Sequence, residues 1–442
     1  NWLCIVGQVM AALLTAPVIV KIFLSLAVIL IVNKLTNNLL LAIIAGSLTI
    51  GFWSGHSITA IGMIAWDRFS SLDNIMLLLV VVLIIWLSSQ MSKTGVMDDL
   101  VSAVRSRLSG RAAIAVLPAV IGLLPMPGGA LFSAPLVDNV DDSNLVEPVR
   151  KTRINYYFRH VWEFWWPLYP GVLLAIDLSG LEMWQFIVLN FSVSLVMITC
   201  GYVFFLRKLP GGEKRGEKAK DRFLRLILPI VIVIVTATLL RMIFPGLADI
   251  SRFLPMGFGI AAAMFYLQLQ RPLPLKELFS LPLTGKTFTM IGIVSFIRIF
   301  GAFIETKLPS GTFLMEQMKN ELAVLNIPVI ALIIVIPFIS GITTGMAIGF
   351  VGASFPIVIS LIGTDPSAGL LFSTVVIAYG FGFMGMLLSP VHVCLVVTNA
   401  HFKTKVGRSL AGLVPPMVLV VLYCLLLSFI IQIAFGYGIW AF

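Results

Sequence analysis

Long apolar stretches separated by short polar segments run from one end of this chain to the other. Ten of them, near residues 22–32, 35–52, 74–89, 161–176, 186–206, 223–244, 254–269, 288–304, 368–397 and 413–435, read as membrane-spanning helices, since about 20 consecutive apolar residues cross a bilayer as one helix. The stretch at 368–397 is long and interrupted at Pro390. Two further stretches, 112–139 and 327–363, are broken at their centres by Leu-Pro-Met-Pro-Gly-Gly (124–129) and Ile-Ser-Gly-Ile-Thr-Thr-Gly (339–345). Inside a bilayer, broken backbone survives only when it is buried in protein or lines a wet cavity. The pattern predicts an all-α polytopic membrane protein with a re-entrant helical hairpin at each broken stretch.

Composition agrees. The 442 residues are 59% hydrophobic and 11% charged, whereas soluble domains carry about a quarter charged residues. The net charge of +10 is gathered in loops and loop ends: Lys34, Lys93–Arg111, Arg150–Arg159, Arg207–Arg225, Arg271–Lys286 and Lys403–Arg408. Basic loops stay on the cytoplasmic side. Charge spread in this way argues against nucleic acid as a partner, which would need one basic face. Cys4, Cys200, Cys394 and Cys424 are scattered through apolar runs. They read as packing residues, with neither a disulfide framework nor a metal site expected.

Charge also sets topology. The basic segments 93–111 and 150–159 both read as cytoplasmic loops, and only the stretch 112–139 lies between them, so it should enter and return rather than cross. By the same logic 327–363 should enter from outside. Each half then holds three spans, a hairpin and two more spans, about five crossings each. The predicted organisation is an ambiguous apolar segment at 1–20, a first repeat at 21–206, a basic cytoplasmic linker at 207–222 and a second repeat of inverted topology at 223–442. Proline recurs after each hairpin: Pro167 and Pro390 are 223 residues apart, and the hairpin centres, counted from Leu124 and Ile339, are 215 apart. Matched breaks of this kind point to the binding site of repeat-built transporters.

Candidate site residues follow from the breaks. Pro127, Gly128, Gly129, Gly341 and Gly345 would let backbone approach a ligand closely, although small residues also serve helix packing in membranes. Ser133, Ser340, Thr343, Thr344 and Ser389 offer hydroxyls. Pro167, Tyr169 and Pro390 mark the broken spans, where proline frees a carbonyl one turn earlier. Intramembrane ionisable groups are functional candidates. Glu163 is either a proton carrier or the partner of Arg159. His392 either titrates, contacts a substrate carboxylate or bonds a freed carbonyl. Arg298 either neutralises an anion or pairs with Glu305. Asp138, Asp141 and Asp142 read as solvated charge, and Asp177 with Glu182 as an external loop. The aromatics at 162–169 read as packing and interface anchors. No P-loop, His-Glu-x-x-His or Gly-x-Ser-x-Gly is present, so neither an enzyme nor a nucleotide-driven pump is expected, and no cofactor.

Segments 124–137, 159–171 (Arg-His-Val-Trp-Glu-Phe-Trp-Trp-Pro-Leu-Tyr-Pro-Gly) and 389–398 (Ser-Pro-Val-His-Val-Cys-Leu-Val-Val-Thr) resemble the prokaryotic integral membrane proteins grouped as domain of unknown function 401. The resemblance runs from about Lys21 to the C-terminus. Through that family it extends, at the level of architecture, to the ion transporter superfamily of gluconate, citrate, dicarboxylate and arsenite permeases. It implies a secondary active transporter in the cytoplasmic membrane of a prokaryote, arranged as a homodimer. Sodium-coupled members of that superfamily carry Ser-Asn-Thr hairpin tips, and the first tip here is Pro-Met-Pro-Gly-Gly. The expectation is alternating-access transport of a small organic anion, in particular a carboxylate, coupled to protons. The alternatives are a sodium-coupled transporter or an anion exporter, and, in another class, a channel or a non-transporting scaffold.

Overall fold

A computed structural model describes residues 16–108, 110–123, 129–141, 146–209, 222–308 and 311–436. Among these the chain is helical, with no strand beyond an isolated bridge between Lys307 and Phe313. Six helices are long and apolar enough to cross a membrane: Val18–Thr36 (α1), Leu72–Lys93 (α4), Met183–Leu206 (α10 with a terminal π turn), Gly285–Glu305 (α15), Ala368–Leu387 (α19) and Val414–Ala434 (α22). A seventh would be counted if Leu314–Val324 (α16) and Val329–Thr344 (α17), bent by 114°, were one span. The outward faces of the long helices are apolar. On α22, for example, Leu419, Leu422, Leu426, Ile430 and Ile433 are all exposed. A surface of that kind belongs against lipid, and the chain is a multi-pass membrane protein.

α1 begins earlier than the stretch 22–32 suggests. Its first turn takes in buried Lys21, and Glu321 of α16 accepts from the amides of Val18 and Ile19 at 2.8 and 2.9 Å. A carboxylate on the orphan donors of a helix N-terminus is favourable. Leu39–Trp53 (α2) packs between α1 and α15. Ile58–Ser70 (α3) leaves Ile58, Met63 and Trp66 exposed. Val96–Arg107 (α5) leads into the first hairpin.

That hairpin is Gly110–Gly122 (α6) and Ala130–Val140 (α7), close to the expected 112–139. The second is α17 and Ala347–Leu361 (α18), joined at Gly345, whose φ of 60° suits glycine. Each hairpin is followed by a broken pair of helices: Pro148–Arg159 (α8) with Pro170–Ser179 (α9), and α19 with Val393–His401 (α20). After the linker come Arg222–Ile243 (α11), Pro245–Ile250 (α12), Leu254–Gln270 (α13) and Leu275–Ser280 (α14), and Val406–Ala411 (α21) precedes α22.

Two sequence expectations are corrected here. Residues 150–159 are not a cytoplasmic loop but most of helix α8, in which Lys151 and Arg159 are buried. The charges are answered within the fold. Lys151 meets Asp138 at 2.8 Å and Asp141 at 2.9 Å, and Arg153 donates to the carbonyls of Ser409 and Arg408. Asp141 is therefore buried and paired rather than solvated; Asp142 lies outside the described residues. The stretch 161–176 is likewise not one helix. Residues 160–169 form turns, because Pro167 lacks an amide donor and Pro170 holds Tyr169 extended (φ −78°, ψ 124°) before starting α9 as its first residue.

The helices of the broken pairs cross between the halves. α9 packs on α18 of the second hairpin, and α20 packs on α7 of the first. Among the described residues α17 and α19 form the most extensive contact between helices, along a seam where Gly341 faces Gly382, Gly385 and Met386 without room for a Cβ.

Candidate functional site

Helix ends leave carbonyls without intrahelical partners, and in this protein the broken segments supply donors to them. The last carbonyls of α6 take three such bonds. Trp162 Nε1 donates to Ala119 O at 2.7 Å, Trp166 Nε1 to Leu123 O at 3.0 Å, and the Tyr169 hydroxyl to Gly122 O. The aromatics at 162–169 are thus the C-terminal cap of the first hairpin arm, not interface anchors. In the second half, Ser389 Oγ donates to Ile342 O of α17 at 2.6 Å, and Tyr156 OH to Leu387 O of α19 at 3.1 Å. Tyr379 OH donates to the carbonyl of Glu163 at 2.7 Å.

Around these caps the two breaks meet. His392 occupies the N-cap position of α20, yet its ring does not cap the helix. It turns to His160, with Nε2 to Nε2 at 3.1 Å and ring centroids 4.9 Å apart. His160 Nδ1 donates to the Tyr156 carbonyl at 2.6 Å, so in the neutral ring Nε2 keeps its lone pair. The ring of Tyr156 lies edge-on to both histidines. The Cys394 sulfur lies within 4.8 Å of a ring nitrogen of each histidine, and the Glu163 carboxylate is 3.8 Å from His160 Nε2. Arg159 lies next to this group, and a Cβ at Gly129 would strike its guanidinium. All of these side chains are buried.

The helix N-termini gather at the same place. α7 begins beside Arg159, and the first turn of α9 touches that of α18, where a Cβ on Gly171 would meet Ala347 and Ile348. α20 begins just after His392. Amide-rich helix starts with a buried arginine favour an anion.

The candidates named from sequence divide accordingly. Gly129, Glu163, Tyr169, Ser389, His392 and Gly345 come together; a Cβ at Gly345 would lie 3.0 Å from His392 N. Pro167 and Pro390 shape the breaks. Ser133 and Ser340 are fully buried, with hydroxyls that bond no protein group among the described residues. Thr343 and Thr344 donate back into their own helix, to Ile339 O and Ser340 O. Gly341 belongs to the packing seam rather than to a ligand surface. Pro127 and Gly128 lie outside the described residues. Arg298 does not join the group, and it does not pair with Glu305, which binds Arg68 at 2.7 Å. It faces Asp177 at 3.4 Å, shared with Arg252 at 2.8 Å. Asp177 is buried near the far end of α9, about 10 Å along the helix from the break, rather than in an external loop. In the sequence Arg159 reads only as a partner for Glu163 and Cys394 only as a packing residue, and His160 has no role of its own. The signal for His160 was its position at the opening of the first break, matching His392 in the second.

Comparison with known proteins gives three results. The family described as "Protein of unknown function (DUF401)" matches residues 15–431. No curated protein matches the chain. Among solved structures, the fold is similar to that of the Alcanivorax borkumensis YdaH transporter, whose topology is described as unusual. The TM-score is 0.57 at 14% identity, over 86% of this chain and 90% of that one.

Proposed function

The chain belongs to the DUF401 family, and on that premise we propose that it is a secondary active transporter of a small organic anion, built from two inverted repeats and coupled to protons. One observation carries the reading: two broken helix pairs and two hairpin ends converge on a buried polar group made of Arg159, His160, Glu163 and His392. Buried ionisable groups at a meeting of helix breaks are expected where a substrate and its coupling ion pass. The similarity in fold to a transporter supports it. In this reading Arg159 and the start of α7 hold the carboxylate. Glu163 exchanges the proton, because a group that loads and unloads protons must reach both the substrate and alternating water access. A homodimer in the cytoplasmic membrane is the expected assembly.

Two measurements test it. In sodium-free proteoliposomes, uptake of a carboxylate identified by thermal-shift screening should follow an imposed pH gradient. Glu163→Gln should bind the same substrate and no longer respond to the gradient. Uptake that requires sodium and ignores pH would replace the proton with a cation held by helix-end carbonyls. Topology is tested separately. Cysteines placed at exposed Ser102 and Glu147, on either side of the first hairpin, should react only with cytoplasmic reagent. Cysteines at exposed Asn320 and Asp365, flanking the second, should react only from outside. Labelling of either pair from opposite faces would make that hairpin a full crossing and remove the inverted repeat.

A further inference from the structure

We propose that His160, His392 and Cys394 form a binding site for a borderline-soft divalent cation of the zinc class, bridging the two helix breaks. Their potential ligand atoms lie within 4.8 Å of one another, and all three side chains are buried. Two imidazole nitrogens bound to one tetrahedral zinc at about 2.0–2.1 Å each are about 3.3 Å apart. The Nε2 atoms of His160 and His392 are 3.1 Å apart, close to that spacing, and metal binding would shift the His392 proton from Nε2 to Nδ1. The tautomer also fits. His160 donates Nδ1–H to the Tyr156 carbonyl, the arrangement by which a metal-binding histidine is oriented from behind while Nε2 keeps its lone pair.

The donor set selects the metal class. Thiolate and imidazole suit zinc and its soft neighbours, while calcium and magnesium require oxygen ligands. The Glu163 carboxylate, 3.8 Å from His160 Nε2, is placed to complete the site or to bond a water there. Binding would release the Cys394 thiol proton, forming a metal–sulfur bond. The resulting thiolate and the Glu163 carboxylate would offset the positive charge added beside Arg159. Because the ligands come from α8–α9 on one side and α19–α20 on the other, a bound ion would tie the two breaks together. Cys200 and Cys424 are also buried, but neither lies in this cluster.

The test does not depend on transport. Cobalt(II) is titrated into the purified, reduced full-length chain in detergent. A single equivalent should give a sulfur-to-cobalt charge-transfer band with tetrahedral d–d absorption, displaced by zinc. Cys394→Ser should lose the charge-transfer band, and His392→Gln should weaken cobalt binding by about 10- to 100-fold or more. Cys200→Ser and Cys424→Ser should leave both unchanged. In the unsubstituted chain, zinc should slow alkylation of Cys394, read by mass spectrometry, while leaving Cys200 and Cys424 unaffected; this arm needs no variant to fold. The absence of a charge-transfer band in the unsubstituted chain, its survival in Cys394→Ser, or equal alkylation of Cys394 with and without zinc would overturn the site. A protein that binds cobalt as described and transports nothing would keep this inference and end the transporter reading.

Discussion

Gly341→Val should leave almost no monodisperse protein after solubilisation. The Cβ of any residue at 341 would run into the Gly382 carbonyl oxygen and come within 2.7 Å of the Met386 amide nitrogen. Reciprocally, a Cβ at Gly385 would meet the Phe338 carbonyl and the Ile342 amide, the latter at 3.0 Å. These obstacles are backbone, so no rotamer change relieves them, and α17 must move away from α19. Close backbone approach through small residues is a main source of helix association in a membrane, and overpacking at such a contact costs about 3 kcal/mol or more. Gly345→Val should behave differently. Its φ of 60° costs a side chain about 1–2 kcal/mol, so protein should still insert and elute as a single species, with uptake abolished because the added bulk presses on His392 and Ser389. Fluorescence-detected size exclusion beside uptake measures the contrast. Well-folded Gly341→Val would show that the seam opens easily, and active Gly345→Val would move the site away from the second tip.

Arg159→Met should produce the largest loss of substrate affinity of any change that keeps the fold. Its guanidinium lies against Gly129, at the start of α7, where an anion would gain from both the helix end and the fixed charge. Removing one partner of a buried charge pair costs about 2–4 kcal/mol, or about 30- to 1000-fold in apparent affinity. Arg159→Lys should recover only part of it, because a lysine cannot reproduce a bidentate contact. Thermal shift against substrate concentration reads the binding directly. Unchanged ligand affinity in Arg159→Met would mean that Arg159 serves structure alone.

Breakers are a local signal, and helices Gly110–Gly122 with Ala130–Val140, Val329–Thr344 with Ala347–Leu361, and Ala368–Leu387 with Val393–His401 lie on either side of the breaks read at 124–129, 339–345 and Pro390. Helix α8 escaped because Arg150, Lys151, Arg153 and Arg159 look like a solvated loop; their partners, Asp141 on one side and the carbonyls of 408 and 409 on the other, are invisible to a window. Arg298 and Asp177 are 121 residues apart in sequence, and His160 and His392 are 232 apart. No periodicity or spacing rule links such pairs. His392 was legible as an ionisable residue in a break, but its partner and Cys394 become visible only when the breaks are brought together. The hydroxyls of Thr343 and Thr344 misled for the opposite reason: the sequence places them at a tip, and the helix uses them locally.

The exchange of partners between the halves, α9 against α18 and α20 against α7, has a consequence for biosynthesis. When the ribosome has finished α10, α9 still lacks its neighbour on α18, and the first hairpin, already packed on α8, waits for α20 until residue 401 has been made. The N-terminal half must therefore rest in the bilayer as an unfinished bundle with Arg159 already inserted, sheltered by water or by the insertion machinery, while Lys151 is answered by Asp138 and Asp141 of the same half. A chain stopped at 209 should be degraded, while co-expression of separate 16–209 and 222–436 fragments should rescue both. Maturation is thus timed by the last quarter of translation rather than by the order in which the helices enter the membrane.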